Sequence, residues 1–467
     1  MSEQFDVAIL GAGSAGYACA LRAAQLGLTV ALVDEGPVGG TCLHRGCIPT
    51  KSWLQAARVR QSVVTAPSFG IGAELGQVDA AAILGYAEGV VGQLYKGLQG
   101  LVASRGIKVV TARGALVTDQ RGPGIDVDGS VLRARAVVIA TGAEPVTLGL
   151  AVDGTHILTS WQALQLSTLP ERAIVLGGGV IGVEFASMWA DLGVQVTLVE
   201  ATASLLPTEE PDLSRILHAA LVKRGIDIRL SSSVSAARVT DDAVRVELED
   251  AALEADVLLV AAGRRPLLEG IGLDEAGVER AGAHIAVDEN LRTTARGVYA
   301  AGDVVAGPQL AHRGYAHGLF VAEHIAHTQG KNSQRPTLGP DSNIARITYS
   351  HPQVASVGLT RQQAEVDGAV EVADYPLRGN GRALISRAPG QRETGVVRVI
   401  RRAGGEIVGV HAVGDDVSEL IAEGSLLVGW GATPEDLRDI IHPHPTVSEA
   451  LAEANLKLAG SPLHMHS

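Results

Sequence analysis

The chain has 467 residues, a formal net charge of −13 at pH 7 and three cysteines. The length favours about three domains, and acidic charge with scattered basic residues argues against nucleic-acid binding. Three cysteines do not make a secreted disulfide framework, and no apolar run reaches the ~20 residues that span a bilayer. Because the first residues lead into a buried strand without a basic or Arg/Ser-rich leader, we expect a soluble cytoplasmic protein.

The first predicted element is a buried strand at residues 5–10, which runs directly into the glycine loop Gly-Ala-Gly-Ser-Ala-Gly at 11–16. An alanine-rich helix follows to about Gln25, and an apolar strand at 29–33 ends at Asp34. In such a loop the glycines let the backbone approach a pyrophosphate, the helix N-terminus supplies positive potential, and the acid accepts hydrogen bonds from ribose hydroxyls. The pattern therefore predicts a dinucleotide-binding fold.

Two of the three cysteines, Cys42 and Cys47, follow this unit, and Lys51 comes four residues after the second. A regular helix separates residues five apart by roughly 8 Å, whereas a disulfide needs Cα atoms within roughly 4.4–6.8 Å. A disulfide here therefore requires a distorted turn, for which Gly46 and Pro49 are the candidates. A strained short loop favours a reducible bond, and Lys51 would favour a thiolate at Cys47. From spacing alone, two core cysteines or a metal site are alternative interpretations.

Apolar spacing predicts packing helices after Lys51 and over about 78–104, and a strand-rich region spans about 106–141. The strand, glycine loop and helix then return, with Gly-Gly-Gly-Val-Ile-Gly at 177–182 and a strand that ends at Glu200. Asp34 and Glu200 each lie 18 residues past the last glycine of their loop. Such a match indicates two copies of one dinucleotide fold.

A second internal match closes each copy, because residues 138–145 resemble 259–266 in pattern. The spacing between the two matches shows that the first copy carries about 45 extra residues, and the dithiol segment lies among them. Further on, residues 297–303 read as a strand that ends at Asp303, for which a turn or N-cap role is the alternative, and a helix is predicted over about 309–327.

The last part of the chain changes character after a polar linker at 330–336. Residues 395–400 and 406–411 flank two glycines and predict a hairpin, which suits an interface domain built on antiparallel sheet.

Near the C-terminal end, two prolines keep His442 and His444 out of regular helix. Thr446 and Glu449 fit a capping box, so helix initiation is one interpretation of Glu449. Because His444 is held five residues before this carboxylate, it is a candidate general base.

Motifs in this order cover essentially the whole chain, namely GAGSAG, GGTCLHRGCIPTK, IATGAEP, GGGVIGVEFA, VAAGRRP, VYAAGDV and HPHPTVSEA. In this combination the chain resembles the pyridine nucleotide–disulfide oxidoreductases, and among them the class I enzymes that oxidise dihydrolipoyl groups. The resemblance implies an α/β fold with two Rossmann-like dinucleotide-binding domains, for FAD and NAD, and a C-terminal α+β dimerisation domain. The implied segments are 1–146 (FAD-binding, with the dithiol), 147–268 (NAD-binding), 269–338 (second FAD-binding or central part) and 339–467 (interface).

The resemblance also implies site residues. The catalytic residues would be Cys42, Cys47, His444, Glu449, Lys51 and Glu184, with Glu184 paired to Lys51, and with His444 and Glu449 serving the dithiol of the other subunit of a homodimer. FAD would lie against Gly11, Gly13, Gly16, Asp34, Gly40, Thr41, Lys51, Gly114, Thr141, Gly142, Asp303 and Ala311. NAD would lie against Gly177, Gly179, Gly182, Glu200, Val234 and Gly263. No metal site is expected. His44 and Arg45 stand where many family members carry Asn and Val. The resemblance therefore predicts the chemistry better than it predicts the residues around the substrate entrance.

The implied reaction oxidises a protein-bound dihydrolipoamide to lipoamide through a Cys42–Cys47 disulfide and FAD, with hydride transfer to NAD+. Expected partners are the lipoyl domains and acyltransferase core of a 2-oxo acid dehydrogenase complex, or the glycine cleavage carrier protein. Glu200 favours NAD, because a carboxylate repels a 2′-phosphate and no Arg or Lys occurs in the next five residues.

Three other functions stay open from the sequence. They are NAD(P)H-dependent reduction of a small-molecule disulfide such as glutathione disulfide, a flavoprotein that only docks in a multienzyme assembly, and metal sequestration through Cys42, Cys47 and His444.

Overall fold

The computed structural model describes residues 4–240, 242–249, 251–391 and 395–466. These residues form two compact units. The first comprises the residues up to Thr50, Gly85–Val146 and Arg264–Asp341, and the second comprises Lys51–Leu84, Thr147–Gly263 and the residues from Ser342 onward. Within these ranges, every helix is too short or too polar to cross a bilayer.

The helices and strands up to the second glycine loop are β1 (Gln4–Leu10), α1 (Ser14–Gln25), β2 (Val30–Asp34), α2 (Gly40–His44), α3 (Cys47–Thr65), α4 (Ala80–Ser104), β3 (Lys108–Thr111), β4 (Ala115–Asp119), β5 (Gly122–Val127), β6 (Ser130–Ile139), β7 (Ala143–Pro145), β8 (Ile157–Leu158), α5 (Ser160–Ala163) and β9 (Arg172–Leu176). Those that follow, up to the polar linker, are α6 (Val180–Leu192), β10 (Gln195–Val199), α7 (Pro211–Lys223), β11 (Asp227–Arg229), β12 (Val234–Thr240), β13 (Ala243–Leu248), β14 (Ala252–Ala255), β15 (Val257–Val260), β16 (Arg264–Pro266), β17 (Arg280–Ala281), β18 (His284–Ile285), β19 (Val298–Ala300) and α8 (Ala311–Thr328). The C-terminal part contains β20 (Arg346–Thr348), β21 (Gln353–Gly358), α9 (Arg361–Glu365), β22 (Val370–Pro376), α10 (Gly381–Ser386), β23 (Val396–Arg402), β24 (Ile407–Gly414), α11 (Val417–Trp430) and α12 (Glu449–Leu458).

The first unit is built on one mixed sheet in the order β3-β2-β1-β6-β5-β4, with β19 also paired to β6. Strands β3, β2, β1, β6 and β19 pair in parallel, whereas β6, β5 and β4 pair antiparallel. Parallel strands covered by helices are buried on both faces, and Ile9, Leu32 and Val138 are accordingly inaccessible to solvent. The predicted strand, glycine loop and helix are confirmed as β1, the loop and α1.

The second glycine loop lies in the second unit. The strand that precedes it, β9, belongs to a parallel sheet of order β11-β10-β9-β15-β8. Strand β9 leads into the loop and α6 follows it, as the sequence predicts. A separate antiparallel sheet, β12-β13-β14, accompanies it. Each dinucleotide-type fold therefore has its own set of parallel strands.

The C-terminal part of the second unit is a five-stranded antiparallel sheet of order β20-β21-β24-β23-β22. The predicted hairpin is confirmed as β23 and β24. One face of the sheet presents apolar side chains such as Val357, Val399 and Val410 to α11 and α12. Successive side chains of a strand point to opposite faces of the sheet, so every second residue faces these helices.

The opposite face of this sheet carries a row of polar side chains, one from each strand at matching register. We call it the polar row, and its members are Arg346, Ser356, His411, Arg398 and Asp374. Arg398 is buried and donates to both carboxylate oxygens of Asp374, at 2.7 and 2.8 Å, and to Glu210 at 2.8 Å. The charges of the row are thus paired where they are buried.

Candidate active site

The first glycine loop is shaped for close backbone approach. Gly11 has φ +104°, and a Cβ there would lie 2.2 Å from the Ala140 carbonyl oxygen. A Cβ on Gly16 would lie 1.8 Å from the Gly11 oxygen, so no larger residue fits at either position. By contrast, a Cβ on Gly13 would meet no described protein atom within 4 Å. Gly13 therefore faces open space at the start of α1, where a phosphate would approach.

Asp34 ends β2, and its two carboxylate oxygens bind the glycine loop and the turn that follows β2. Oδ2 accepts a hydrogen bond from the Ala12 N–H at 2.6 Å, and Oδ1 accepts from the Gly36 N–H at 2.7 Å. Because an ionised carboxylate offers about four acceptor positions, capacity is left for ribose hydroxyls.

The other residues expected at FAD lie around this loop in the first unit, apart from Lys51. Gly40 packs on the loop, since a Cβ there would lie 2.6 Å from the Gly13 Cα. The Thr141 hydroxyl donates to the Leu267 carbonyl at 2.7 Å. The rest are Thr41, exposed on α2, Gly114, packed against Ile125 and Leu10, Gly142, with φ +75°, Asp303, in a 3-10 turn after β19, and Ala311, the first residue of α8.

The surroundings of Asp303 change its acidity. Burial raises the pKa of Asp303, and the positive charges of Arg264 and Arg313 only partly offset the rise. A carboxyl in such a site is suited to hydrogen bonding with a polar ligand group.

The second loop repeats the geometry of the first. Gly177 has φ +115°, and a Cβ on Gly182 would lie 1.8 Å from the Gly177 oxygen, whereas Gly179 faces open space. Glu200 accepts hydrogen bonds from the Gly178 N–H at 2.5 Å and from the Thr202 N–H at 2.7 Å. Of the remaining residues expected at NAD, Val234 begins β12 and Gly263 follows β15 with φ +103°.

The two glycine loops, with Asp34 and Glu200 beside them, fit the dinucleotides FAD and NAD. In each, a glycine whose added Cβ would meet no described atom within 4 Å lies at a helix N-terminus, and an acid at the end of the next strand accepts a hydrogen bond from the loop. The residues present are therefore compatible with a pyrophosphate at the helix and a ribose at the acid.

The dithiol segment contains the break in the helix that the spacing requires. Helix α2 ends at His44 and α3 begins at Cys47, so Cys42 and Cys47 lie on two different helices. Both cysteines are half-buried. The break lies at Gly46, as expected, whereas the prediction that Pro49 distorts the turn is wrong. Pro49 lies in the first turn of α3, where the backbone N–H that proline lacks has no helical partner to lose.

The third cysteine has a different environment. Cys19 is fully buried in α1, and burial raises the pKa of its thiol to about 12. A thiol held protonated in this way is a core residue rather than a nucleophile.

Two tyrosines beside the dithiol have no motif that marks them in the sequence. The rings of Tyr17 on α1 and Tyr315 on α8 lie 5.7 Å apart, and their hydroxyls are hydrogen-bonded. Burial raises the pKa of both phenols, and the negative charges of Cys42 and Cys47 contribute to the rise. Both phenols are therefore protonated.

His44, one of the two departures from the family pattern, contacts two neighbouring parts of the protein. Its Nε2 lies 2.9 Å from the Val38 carbonyl oxygen, and its ring packs edge-on against Tyr95 of α4, 4.9 Å between centroids. The residue thus ties the dithiol segment to α4.

Lys51 and Glu184 form the ion pair that the resemblance implies. Lys51 Nζ lies 2.9 and 2.8 Å from the two carboxylate oxygens of Glu184, which also accepts the Tyr349 N–H at 2.9 Å. The Glu184 side chain is 4% exposed, whereas that of Lys51 is 35% exposed. Lys51 is therefore held by a buried carboxylate, four residues after Cys47 on α3.

His444 and Glu449 also lie together. His444 Nδ1 is 2.8 Å from Glu449 Oε1, and the imidazole is 79% exposed. Glu449 Oε2 accepts the Thr446 N–H at 2.8 Å, but the Thr446 hydroxyl donates to the Pro443 carbonyl. The predicted capping box is thus only half present, and Ser448 is the N-cap of α12. One carboxylate orients the ring and fixes the loop at the same time.

The described residues contain no group of three or more His, Cys, Asp or Glu side chains arranged to hold a metal ion. Metal sequestration therefore has no supporting geometry within these ranges.

The chain belongs to the pyridine nucleotide-disulphide oxidoreductases, whose family model matches residues 5–318, and the family's dimerisation domain matches residues 344–455. This chain uses FAD and NAD, as the two glycine loops indicate.

Among its relatives, the dihydrolipoyl dehydrogenase of Bacillus subtilis is 37% identical, over 99% of this chain and 100% of the relative. The mitochondrial dihydrolipoyl dehydrogenase of Pisum sativum is 33% identical, over 99% and 93%. Among solved structures, LpdA from Mycobacterium tuberculosis has a TM-score of 0.88 at 28% identity, over 97% and 99% of the two chains. RclA, a HOCl-induced flavoprotein disulfide reductase from Escherichia coli, has a TM-score of 0.84 at 27% identity, over 97% and 99%.

Proposed function

We propose that this chain is a dihydrolipoyl dehydrogenase, an FAD-dependent oxidoreductase that oxidises protein-bound dihydrolipoamide with NAD+. The observation that carries the proposal is the His444 imidazole, which Glu449 orients at 2.8 Å through Nδ1. The other ring nitrogen, Nε2, is thereby left to accept a proton from a dithiol. The full-length relatives that carry the same name support it.

In this proposal His444 Nε2 takes a proton from the dihydrolipoyl dithiol, and Glu449 stabilises the resulting imidazolium. The substrate thiolate attacks Cys42 and breaks a Cys42–Cys47 disulfide, which gives a mixed disulfide and leaves Cys47 as a thiolate. The second substrate sulfur then displaces Cys42, so that lipoamide leaves oxidised and the enzyme keeps two reduced cysteines. When bound, FAD supplies the route by which the electron pair passes from the cysteines to NAD+.

The chain's own residues prepare this chemistry. Lys51, held by Glu184, supplies positive charge on the helix that begins at Cys47. The phenols of Tyr17 and Tyr315 present protonated oxygens near the sulfurs.

We also propose the finer assignments that depend on this reaction. The four segments 1–146, 147–268, 269–338 and 339–467 would serve as FAD-binding, NAD-binding, central and interface parts. The dimerisation domain supports a homodimer in which His444 serves the dithiol of the other subunit. Partners would be lipoyl domains and the acyltransferase core of a 2-oxo acid dehydrogenase complex, or the glycine cleavage carrier protein, in the cytoplasm.

Glu200 supports NAD rather than NADP as the acceptor. Its carboxylate is fixed in place by the Gly178 and Thr202 amides, so a 2′-phosphate would meet fixed negative charge. Arg229, on the neighbouring strand β11, pairs with Asp227.

The second candidate is an NAD(P)H-dependent reductase of a small-molecule disulfide, which the likeness to RclA favours. Parallel assays with dihydrolipoamide plus NAD+ and with glutathione disulfide plus NADPH separate the two candidates. The proposal requires turnover in the first assay and little in the second, and the reverse result would contradict it.

A variant test addresses the dithiol itself. Cys47→Ser should abolish dihydrolipoamide oxidation, because no disulfide forms. Cys19→Ala is the matched control, since Cys19 is a buried core thiol. Mass spectrometry after alkylation should show Cys42 and Cys47 becoming reactive when the wild-type enzyme meets dihydrolipoamide; protection of both would contradict the proposal.

A further inference from the structure

Residues 302–306, which we call the Asp303 turn, are held on their N-terminal side by a buried histidine of α8. The N–H of Gly302, the residue just before Asp303, donates a hydrogen bond to Nδ1 of His317 at 3.2 Å. His317 is 2% exposed. Gly302 has φ +78°, and a Cβ there would lie 3.0 Å from the Ala15 Cβ, so the turn also contacts α1 closely. The position of Asp303 therefore depends on the acceptor that His317 offers.

An arginine of the same helix holds the C-terminal side of the turn. Arg313 lies one helical turn before His317, and its guanidinium donates to the carbonyl oxygens of Val305 at 3.3 Å and Ala306 at 2.6 Å. Its Nε pairs with Asp341 at 2.8 Å, and the arginine side chain is only 3% exposed. The Asp303 turn is thus bound to α8 at both of its ends.

The hydrogen bond from Gly302 requires a neutral His317. A neutral imidazole accepts through the nitrogen that carries no proton, whereas both nitrogens of a protonated ring are donors. Protonation of His317 would therefore leave the buried Gly302 N–H without its acceptor and would set two donors against each other. The contact that fixes the start of the turn is lost with a single proton.

The surroundings of His317 keep the ring neutral near pH 7. Burial, followed by the positive charge of Arg313, lowers the pKa of His317 to about 4, whereas Asp341 acts in the opposite direction. The turn contributes the Asp303 carboxyl, whose own pKa is raised by burial. At its contact with this part of α8, α1 contributes backbone atoms and small side chains such as that of Ala15. Acidification well below pH 7 is thus needed to break the bond.

We propose that His317 and Arg313 are positioning residues that hold the Asp303 turn in place for FAD, and that protonation of His317 releases the turn, so that FAD binds more weakly on acidification. The inference rests on the proposed function in one respect, the place of FAD beside Asp303, and not on which dithiol is oxidised. Neither positioning residue needs to touch FAD, because both act through the backbone of the turn.

The test is the release of FAD from the holoenzyme, with free FAD measured by its fluorescence after serial dilution at pH 7.5 and pH 5.5. The released form, whose histidine has the ordinary pKa of about 6.5, binds more protons than the FAD-bound form, so lower pH favours release. Wild-type affinity for FAD should fall by about tenfold between the two pH values. Far-UV circular dichroism follows the fold at both. An affinity that does not change between them would overturn the inference.

Two variants of nearly equal shape separate the loss of the acceptor from a loss of packing. In His317→Asn the side-chain oxygen can take the place of Nδ1 at any pH, so FAD affinity should stay within about threefold of the wild type at pH 7.5 and should not fall at pH 5.5. His317→Leu offers no acceptor and should bind FAD about tenfold more weakly at both pH values alike. A pH dependence in His317→Asn equal to that of the wild type would contradict the proposal.

Arg313→Gln tests the other end of the turn. Glutamine cannot reach both carbonyls, so FAD affinity at pH 7.5 should fall by about tenfold. Unchanged affinity would show that the turn does not need Arg313, and the proposal would fail at this point.

His324→Asn is the matched control. His324 is also buried on α8, and burial lowers its pKa as well, but its Nδ1 lies 3.2 Å from the hydroxyl of Tyr299 on β19. This variant should keep the wild-type pH dependence of FAD binding. If it lost that dependence as fully as His317→Asn, the effect would not belong to the Asp303 turn and the inference would be overturned.

Dihydrolipoamide oxidation, assayed on the same samples at pH 7.5, separates this inference from the proposed function. An enzyme that releases FAD as expected but does not oxidise dihydrolipoamide defeats the proposed function alone. An active enzyme whose affinity for FAD is the same at both pH values defeats only this inference.

Discussion

Replacing Lys51 with methionine tests how far the buried carboxylate of Glu184 depends on its partner. In the wild type, both Glu184 oxygens lie within 2.9 Å of Lys51 Nζ, and the Glu184 side chain is 4% exposed. Breaking a buried pair by removing one partner costs about 3–5 kcal/mol. Because Lys51 is itself 35% exposed, water already screens part of the interaction, and we expect a loss of about 2–3 kcal/mol in the free energy of unfolding.

The assay is urea unfolding of the FAD-loaded protein, followed by tryptophan fluorescence. Trp53 and Trp189 are fully buried on α3 and α6, the helices that carry Lys51 and Glu184, so they report on this region.

A second variant tests the explanation. Adding Glu184→Gln to Lys51→Met should recover most of the loss, because no unpaired charge is left buried. Lys96→Met, at an exposed position of α4, is the control and should change stability by less than about 0.5 kcal/mol. If Lys51→Met matched the control, the buried charge would not need its partner and the reasoning would be refuted.

Three further predictions address the cofactor sites and their supports. Gly13→Ala should fold normally, since its Cβ meets no described protein atom within 4 Å, yet it should bind FAD at least tenfold more weakly in a flavin titration; unchanged affinity would place the cofactor elsewhere. Glu200→Ala should weaken NAD+ binding about tenfold and improve NADP+ binding in steady-state kinetics, and a wild type that already prefers NADPH would contradict the assignment. Burial, with Arg313 nearby, lowers the pKa of His317 to about 4, whereas the pKa of a histidine in the unfolded chain is about 6.5. The free energy of unfolding should therefore be highest above pH 6.5 and fall by up to about 3 kcal/mol as the pH drops through 4. His317→Gln should flatten that slope in urea titrations at several pH values.

The parts of the fold that sequence reasoning could predict are those with short, regular signals. The glycine loops at Gly11 and Gly177 follow apolar strands and precede helices, and an acid comes at the same offset in both, so local pattern and tertiary structure agree. The hairpin of β23 and β24 could be predicted equally well, because its two strands and their turn are contiguous in the sequence.

Side-chain partnerships between distant residues had no such signal. Lys51 and Glu184 are far apart in sequence, so their contact could be predicted only from the family resemblance. The pair of Tyr17 and Tyr315 depends on how α1 and α8 pack, which apolar periodicity does not encode. His442 reads as a loop residue until α11 brings Glu423 to it.

The helix that follows His444 shows how a local rule can be correct in part. A capping box was expected at Thr446, and Glu449 does accept its amide. The Thr446 hydroxyl instead donates to the Pro443 carbonyl, so the loop closes on itself before α12 begins. A threonine hydroxyl can bond a carbonyl of its own loop instead of a helix amide, and sequence spacing alone does not show which partner it takes.

The polar row on the C-terminal sheet also restricts how its strands can assemble. Because side chains alternate between faces, sliding one strand by a single residue would turn Arg398 or His411 into the apolar layer against α11 and α12 and place a valine among the polar side chains in exchange. That error would strand an ionised guanidinium in hydrocarbon, at a cost of several kcal/mol. The row therefore makes mispaired arrangements unfavourable, and the surface that the family uses to join two copies is built on a sheet with one permitted alignment.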